Sequence, residues 1–140
     1  MDRIIKLDNK ECLYRRILSN SHNDRTPDQY TIDDITGEIS INSTAFLGGK
    51  KPSVDIASIN NYVPSKTKRS DTDGIISFTV GDVRSIEIIG GRKADVEPTP
   101  DPCNKAHAEI YITTKSNSNS LSDLRRGLAK RSTVKIKPVE

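Results

Sequence analysis

Tryptophan is absent from the chain, phenylalanine occurs twice and methionine once. So sparse a set of large side chains excludes a core built on rings, and it leaves few platforms on which bases could stack. No apolar run approaches the roughly 20 residues that a spanning helix needs, so no membrane helix is expected. The opening MDRIIKLDNKECLYRR contains no apolar stretch of the kind a signal peptide carries. Cys12 and Cys103 are the only cysteines and form no CxxC pair, which excludes a paired-cysteine metal framework. Free thiols in a reducing cytoplasm are the expectation for them. Asn42-Ser43-Thr44 fits the glycosylation pattern but has no consequence in that compartment.

What is present is 140 residues, one domain's worth of chain, of which 33% are hydrophobic and 29% charged. The aliphatic residues fall in short runs, which argues for one modest core rather than disorder. The net charge of +3 is uneven. From Ser120 onward six basic residues face two acidic ones, whereas the preceding residues carry 16 basic and 17 acidic side chains. The whole positive excess therefore lies in the C-terminal region. Arg125, Arg126, Lys130 and Arg131 are candidate contacts for an anion or an acidic partner.

The pattern of elements is one of short strands. Residues 11–18, ECLYRRIL, fit a strand or a helix that groups Leu13, Arg16 and Ile17, and their shortness between Asn and Ser favours a strand; residues 19–28 read as a loop. Tyr30-Thr31-Ile32 and Ile39-Ser40-Ile41 read as a hairpin, with Gly37 supplying the turn. Pro52 is placed to open a short helix over residues 52–63. Ile75 to Val80 is β-branched and aromatic, hence a strand, and Asp82 is positioned to cap a helical turn after it. Ala94 to Glu97 reads as extended, and three prolines stiffen residues 98–102.

Ala106 to Thr113 alternates most clearly. Ala106, Ala108 and Ile110 face a core, while His107, Glu109 and Tyr111 face the other way, toward open solvent. Residues 116–120 read as a flexible linker, followed by a basic helix with Leu121, Leu124 and Leu128 as its buried stripe. Val134 and Ile136 mark a last strand. Without regular βαβ alternation, the expectation is an α+β fold: a small, mainly antiparallel sheet with two or three short helices.

The succession Leu13-Tyr14-Arg15-Arg16-Ile17, Gly37-x-Ile39-Ser40-Ile41, Val83-Arg84 and Ala106-His107-Ala108-Glu109-Ile110 resembles small uncharacterised bacterial proteins, cyanobacterial ones among them. The resemblance spans residues 13–110 and carries no known activity. It implies a bacterial cytoplasmic origin, with conflict or defence loci as one setting.

The chemistry-bearing residues form one constellation of interest. His107 and Glu109 lie on one strand face with Tyr111, and Arg15 or Arg16 is suited to holding a phosphate beside them. Nothing else has a recognised form. Two histidines and two distant cysteines match no metal-ligand spacing, and Asp71-x-Asp73-Gly74 lacks the later ligands of a calcium loop. Gly48-Gly49 and Gly90-Gly91, each followed by basic residues, lack the spacing of a nucleotide loop and read as turns. No metal and no cofactor is expected.

The leading expectation is a non-enzymatic module that binds another protein. The alternatives are a small nuclease or nucleotide-modifying enzyme using His107, Glu109, Arg15 and Arg16, and a nucleic-acid binder using the C-terminal region. Scarce aromatics disfavour the last. A pocket joining the first strand to the AHAEI strand is what separates the enzyme reading from the binding module.

Overall fold

The computed structural model describes residues 6–22, 27–114 and 118–140. Its strands are β1 (Cys12–Ile17), β2 (Tyr30–Ile32), β3 (Ile39–Ile41), β4 (Ser53–Ile56), β5 (Gly74–Thr79), β6 (Ala94–Pro98), β7 (His107–Ile112) and β8 (Thr133–Ile136). Its helices are α1 (Val80–Arg84) and α2 (Ser118–Arg131), with short 3-10 turns between elements. Six strands form one sheet in the order β6-β7-β4-β1-β5-β8, each neighbouring pair antiparallel. The β2–β3 hairpin forms a sheet of its own. The class is α+β with antiparallel sheets. The main sheet is larger than the small one expected.

β1 lies in the middle of the sheet because both of its faces are apolar. Leu13 and Ile17 point into the main core, and Tyr14 points into a second cluster with Ala57 and Ile75. β4, beside it, corrects the helix expected over residues 52–63. Val54, Asp55 and Ile56 are all buried, as a strand with neighbours on both sides requires. Ile59 and Tyr62, which that helix would have buried, are exposed. Short apolar runs do not distinguish a buried strand from a helix, and tertiary pairing decided this one.

Gly74 shows how closely the sheet is assembled. A Cβ there would lie 2.8 Å from Pro138 Cδ and 2.9 Å from the Ile136 carbonyl oxygen, so β5 and the segment after β8 meet only across a glycine. At the end of β5, Thr79 rather than Asp82 is the N-cap of α1. The Thr79 hydroxyl accepts from Asp82 N at 3.0 Å, and the Asp82 carboxylate accepts from Thr79 N at 2.9 Å. The two residues form a reciprocal capping box.

Both helices and the hairpin pack on the face that carries Leu13 and Ile17. Leu124 and Leu128 of α2 are fully buried there, and Phe46 meets Phe78 edge to face at 6.0 Å. Leu121, expected in the same stripe, is only half-buried. The linker expected at residues 116–120 is helical from Ser118, and residues 116 and 117 lie outside the described residues. Ser120, within the helix, is fully buried. Packing of this face against the core overrides the poor helix propensity of the Ser-Asn run. Among the described residues, no helix is long and apolar enough to cross a membrane.

Candidate functional site

The sheet opens at its centre. β1 and β4 pair only at Leu13↔Ile56 and Tyr14↔Asp55. β1 then continues against β5 as far as Ile17↔Gly74, while β4 runs back along β7 to Ser53↔Glu109. Arg15 lies where the pairing stops. Its Nε donates to the Ala45 carbonyl at 2.9 Å and its Nη1 to the Ser53 carbonyl at 2.6 Å. The guanidinium sits 5.2 Å from the centre of the Phe46 ring, a cation–π distance. It therefore ties the two diverging segments through backbone acceptors that no strand partner serves.

Arg15 has no carboxylate within ion-pair distance among the described residues. Burial, aided by repulsion from Arg16, pushes its guanidinium down to about 10. It is still cationic at neutral pH, but its charge has lost much of its water without gaining a counter-ion. Arg16, one residue on, points to the other face and lies 3.5 Å from the buried Asp73 carboxylate. That carboxylate also accepts from the Arg69 and Ser70 backbone N–H groups at 2.9 and 3.1 Å.

The opening is part of a cleft of about 790 Å³. β1 contributes Arg15 and Arg16 to its lining, from opposite faces of the strand. The turn after β4 and the loop before β5 bring Lys66, Lys68 and Arg69, and the loop before β7 brings Lys105. Against these six basic residues stand two acidic ones, Asp55 and Asp101. Both acids are engaged by neutral donors. Asp55 accepts from Asn104 Nδ2 at 2.8 Å and Thr67 Oγ1 at 2.9 Å. Asp101 accepts from the Cys103 and Asn104 backbone N–H groups, each at 2.8 Å. Asp55 thus fastens two basic loops to a central strand while neutralising neither.

His107 also lines this cleft and is half-buried, which corrects the open solvent face expected for it. Its Nδ1 lies 2.7 Å from the Thr99 hydroxyl and 3.1 Å from the Thr99 carbonyl oxygen. The structure therefore brings Arg15, Arg16 and His107 to one cavity. It does not bring Glu109 there: that residue lies opposite Ser53 in β4 and Glu97 in β6, beyond the cleft lining.

The basic residues of α2 are elsewhere and largely engaged. Arg125 Nη2 donates to the Gly49 carbonyl at 3.2 Å, and Arg126 pairs with Asp123 on the same helix. Arg131 donates to Ser85 Oγ at 3.0 Å and to the Gly127 carbonyl at 3.1 Å. Lys130 is exposed. None of the four lines the cleft.

Sequence reasoning missed Lys66, Lys68, Arg69, Lys105, Asp55 and Thr99. The run SKTKRS is basic in sequence, but only the fold brings it into one cleft with Arg15. Among the described residues, no group of three or more His, Cys, Asp or Glu side chains is arranged to hold a metal ion. Comparison with protein-family models, curated proteins and solved structures finds no match to this chain.

Proposed function

We propose that this protein binds a ligand carrying more than one phosphate group in the central cleft. The single observation that carries the reading is Arg15, a half-buried cation in the cleft lining that bonds the Ala45 and Ser53 carbonyls and has no carboxylate partner among the described residues. A partly desolvated charge without a counter-ion is costly, and an anion in the cleft supplies one. The surroundings support the same chemistry: six basic residues outnumber two acids whose oxygens are already engaged. The volume of about 790 Å³ lies within the range of small-molecule sites and is far larger than one phosphate. The setting proposed is the cytoplasm of a bacterium, with both cysteines free.

Inorganic tripolyphosphate is the probe. Calorimetric titration at low salt is expected to give a one-to-one complex that weakens as salt rises and raises the melting temperature. Chloride and acetate at equal ionic strength are expected to give neither. Absence of tripolyphosphate binding at low salt would remove the proposal.

A second reading, docking of another protein encoded nearby, is favoured by the turn after β4. Ile59, Tyr62 and Val63 are exposed together, and Asn61 and Tyr62 have left-handed backbones with φ of 53° and 58°. An aromatic residue held in that conformation is strained by roughly 1–2 kcal/mol, and such strain clusters at functional sites. Tyr62→Gly is expected to stabilise the fold by up to about 1 kcal/mol and to abolish copurification with a neighbouring gene product. A stabilised variant that retains the partner would exclude this turn as the docking surface.

A further inference from the structure

His107 lines the cleft, and its two ring nitrogens differ in their surroundings. Nδ1 is turned to Thr99, which is not part of the cleft lining. The Thr99 hydroxyl, 2.7 Å away, can donate or accept, but the Thr99 carbonyl oxygen at 3.1 Å can only accept, so a proton on Nδ1 is the arrangement that serves both contacts. Nε2 then carries the lone pair, and among the described residues it has no hydrogen-bond partner. The main chain fixes the pair as well, since Thr99 N donates to the His107 carbonyl at 3.0 Å. An imidazole held in this tautomer is set to accept a proton at Nε2.

The hydroxyl and carboxylate groups around it are poor candidates to react. The Thr67 hydroxyl donates to Asp55, and both carboxylates of the cleft accept hydrogen bonds from their neighbours. A substrate that brings its own nucleophile fits better. RNA does so, because each phosphodiester has a ribose 2′-hydroxyl beside it. The scarcity of aromatics, which argues against recognition by stacking, does not bear on this step, which needs charge and one base.

We propose that the cleft cleaves RNA by transesterification, with His107 Nε2 as the proton acceptor. The inference rests on the cleft being a phosphate site. Nε2 takes the proton of the 2′-hydroxyl, and O2′ bonds to phosphorus as the bond from phosphorus to O5′ breaks. The leaving O5′ takes a proton from a water molecule, and the resulting hydroxide collects the proton held on the imidazolium. One strand becomes a 2′,3′-cyclic phosphate end and a 5′-hydroxyl end, with no oxidant or other co-reactant. The basic side chains that line the cleft offset the negative charge that grows on the phosphoryl oxygens.

The test uses a labelled oligouridylate, in EDTA, and the same oligonucleotide made entirely of 2′-deoxy residues. The ribo strand is expected to be cut to products whose mass shows a cyclic phosphate, and the deoxy strand to stay whole. His107→Gln is expected to slow cleavage by roughly 10²- to 10⁴-fold, the usual contribution of a positioned base. Its affinity for the uncleavable deoxy strand should stay within about twofold of the parent protein. Arg126→Ala is expected to retain the rate, since that side chain pairs with Asp123 on α2 and does not line the cleft. An uncut ribo strand, equal cutting of the deoxy strand, an unchanged rate in His107→Gln or a lost rate in Arg126→Ala would each overturn the assignment. A strand that binds and is not cut sinks this inference alone. Failure of both tripolyphosphate and the oligonucleotide to bind removes the phosphate site too.

Discussion

Two regions of this molecule are basic, and they differ in what surrounds the charge. The C-terminal helix carries four cations within seven residues of sequence, yet Arg125, Arg126 and Arg131 bond to carbonyls, a hydroxyl and a carboxylate of the protein itself. The cleft gathers its cations from three separate segments and leaves Arg15 with backbone carbonyls alone. A run of charge in sequence is therefore a poor guide to free charge in space. The helix is a packing element with a solvated face, and the cleft is where an anion meets Arg15, a cation without a carboxylate partner among the described residues.

The sharpest way to separate the two is to damage the helix at its buried side. Leu124 is fully buried, so Leu124→Ala is expected to destabilise by roughly 2–5 kcal/mol in a urea melt. The same variant, at temperatures where it remains folded, should bind tripolyphosphate as the parent protein does. A stability change near zero would contradict the packing role assigned to α2.

Charge removal comes next. Arg15→Gln is expected to weaken tripolyphosphate binding by roughly 10- to 100-fold, the worth of one charge-assisted hydrogen bond. Arg126→Ala, whose cation already pairs with Asp123, should change the affinity by less than about twofold and the stability by less than ~0.5 kcal/mol. Equal losses at the two positions would erase the distinction between the regions.

The pH dependence of binding follows from the same arginine. Its guanidinium is pushed down to about 10, so it loses its charge as pH rises through that value. Affinity should therefore fall with rising pH across that window. The part due to Arg15 is the difference between the parent protein and Arg15→Gln. Titrations that remain parallel in the two proteins would show that Arg15 does not touch the ligand.

The smallest effect is read at the thiols. Cys103 is exposed and lines the cleft, whereas burial pushes the half-buried Cys12 thiol up. Alkylation at pH 8 should reach Cys103 first, and saturating tripolyphosphate should slow it several-fold while leaving Cys12 unchanged. Equal protection of both thiols would point to general tightening of the fold.

Much of the fold was legible because it is encoded locally. Alternation over Ala106–Ile112, the β-branched run before Val80 and the Leu124–Leu128 spacing each report a face, and each element lies where its period puts it. β4 was not legible, since Val54, Asp55 and Ile56 are buried on both faces and leave no alternation to read. The site was legible only in part. Arg15, Arg16 and His107 were candidates by residue type, and the cleft joins them. What joins them is that β1 and β4 part after two residue pairs, a consequence of strand order and register. Glu109 failed for the same reason: alternation gives it the face of His107, but two residues along β7 carry it beyond the cavity.

The central claim is most directly tested by mapping amide shifts in an ¹H–¹⁵N NMR titration with tripolyphosphate. The account predicts saturable shifts at the cleft: Arg15 and Arg16, residues 53–55, 66–69 and 101–107, with residues 125–131 still. Shifts confined to α2, or none at any ligand concentration, would contradict it.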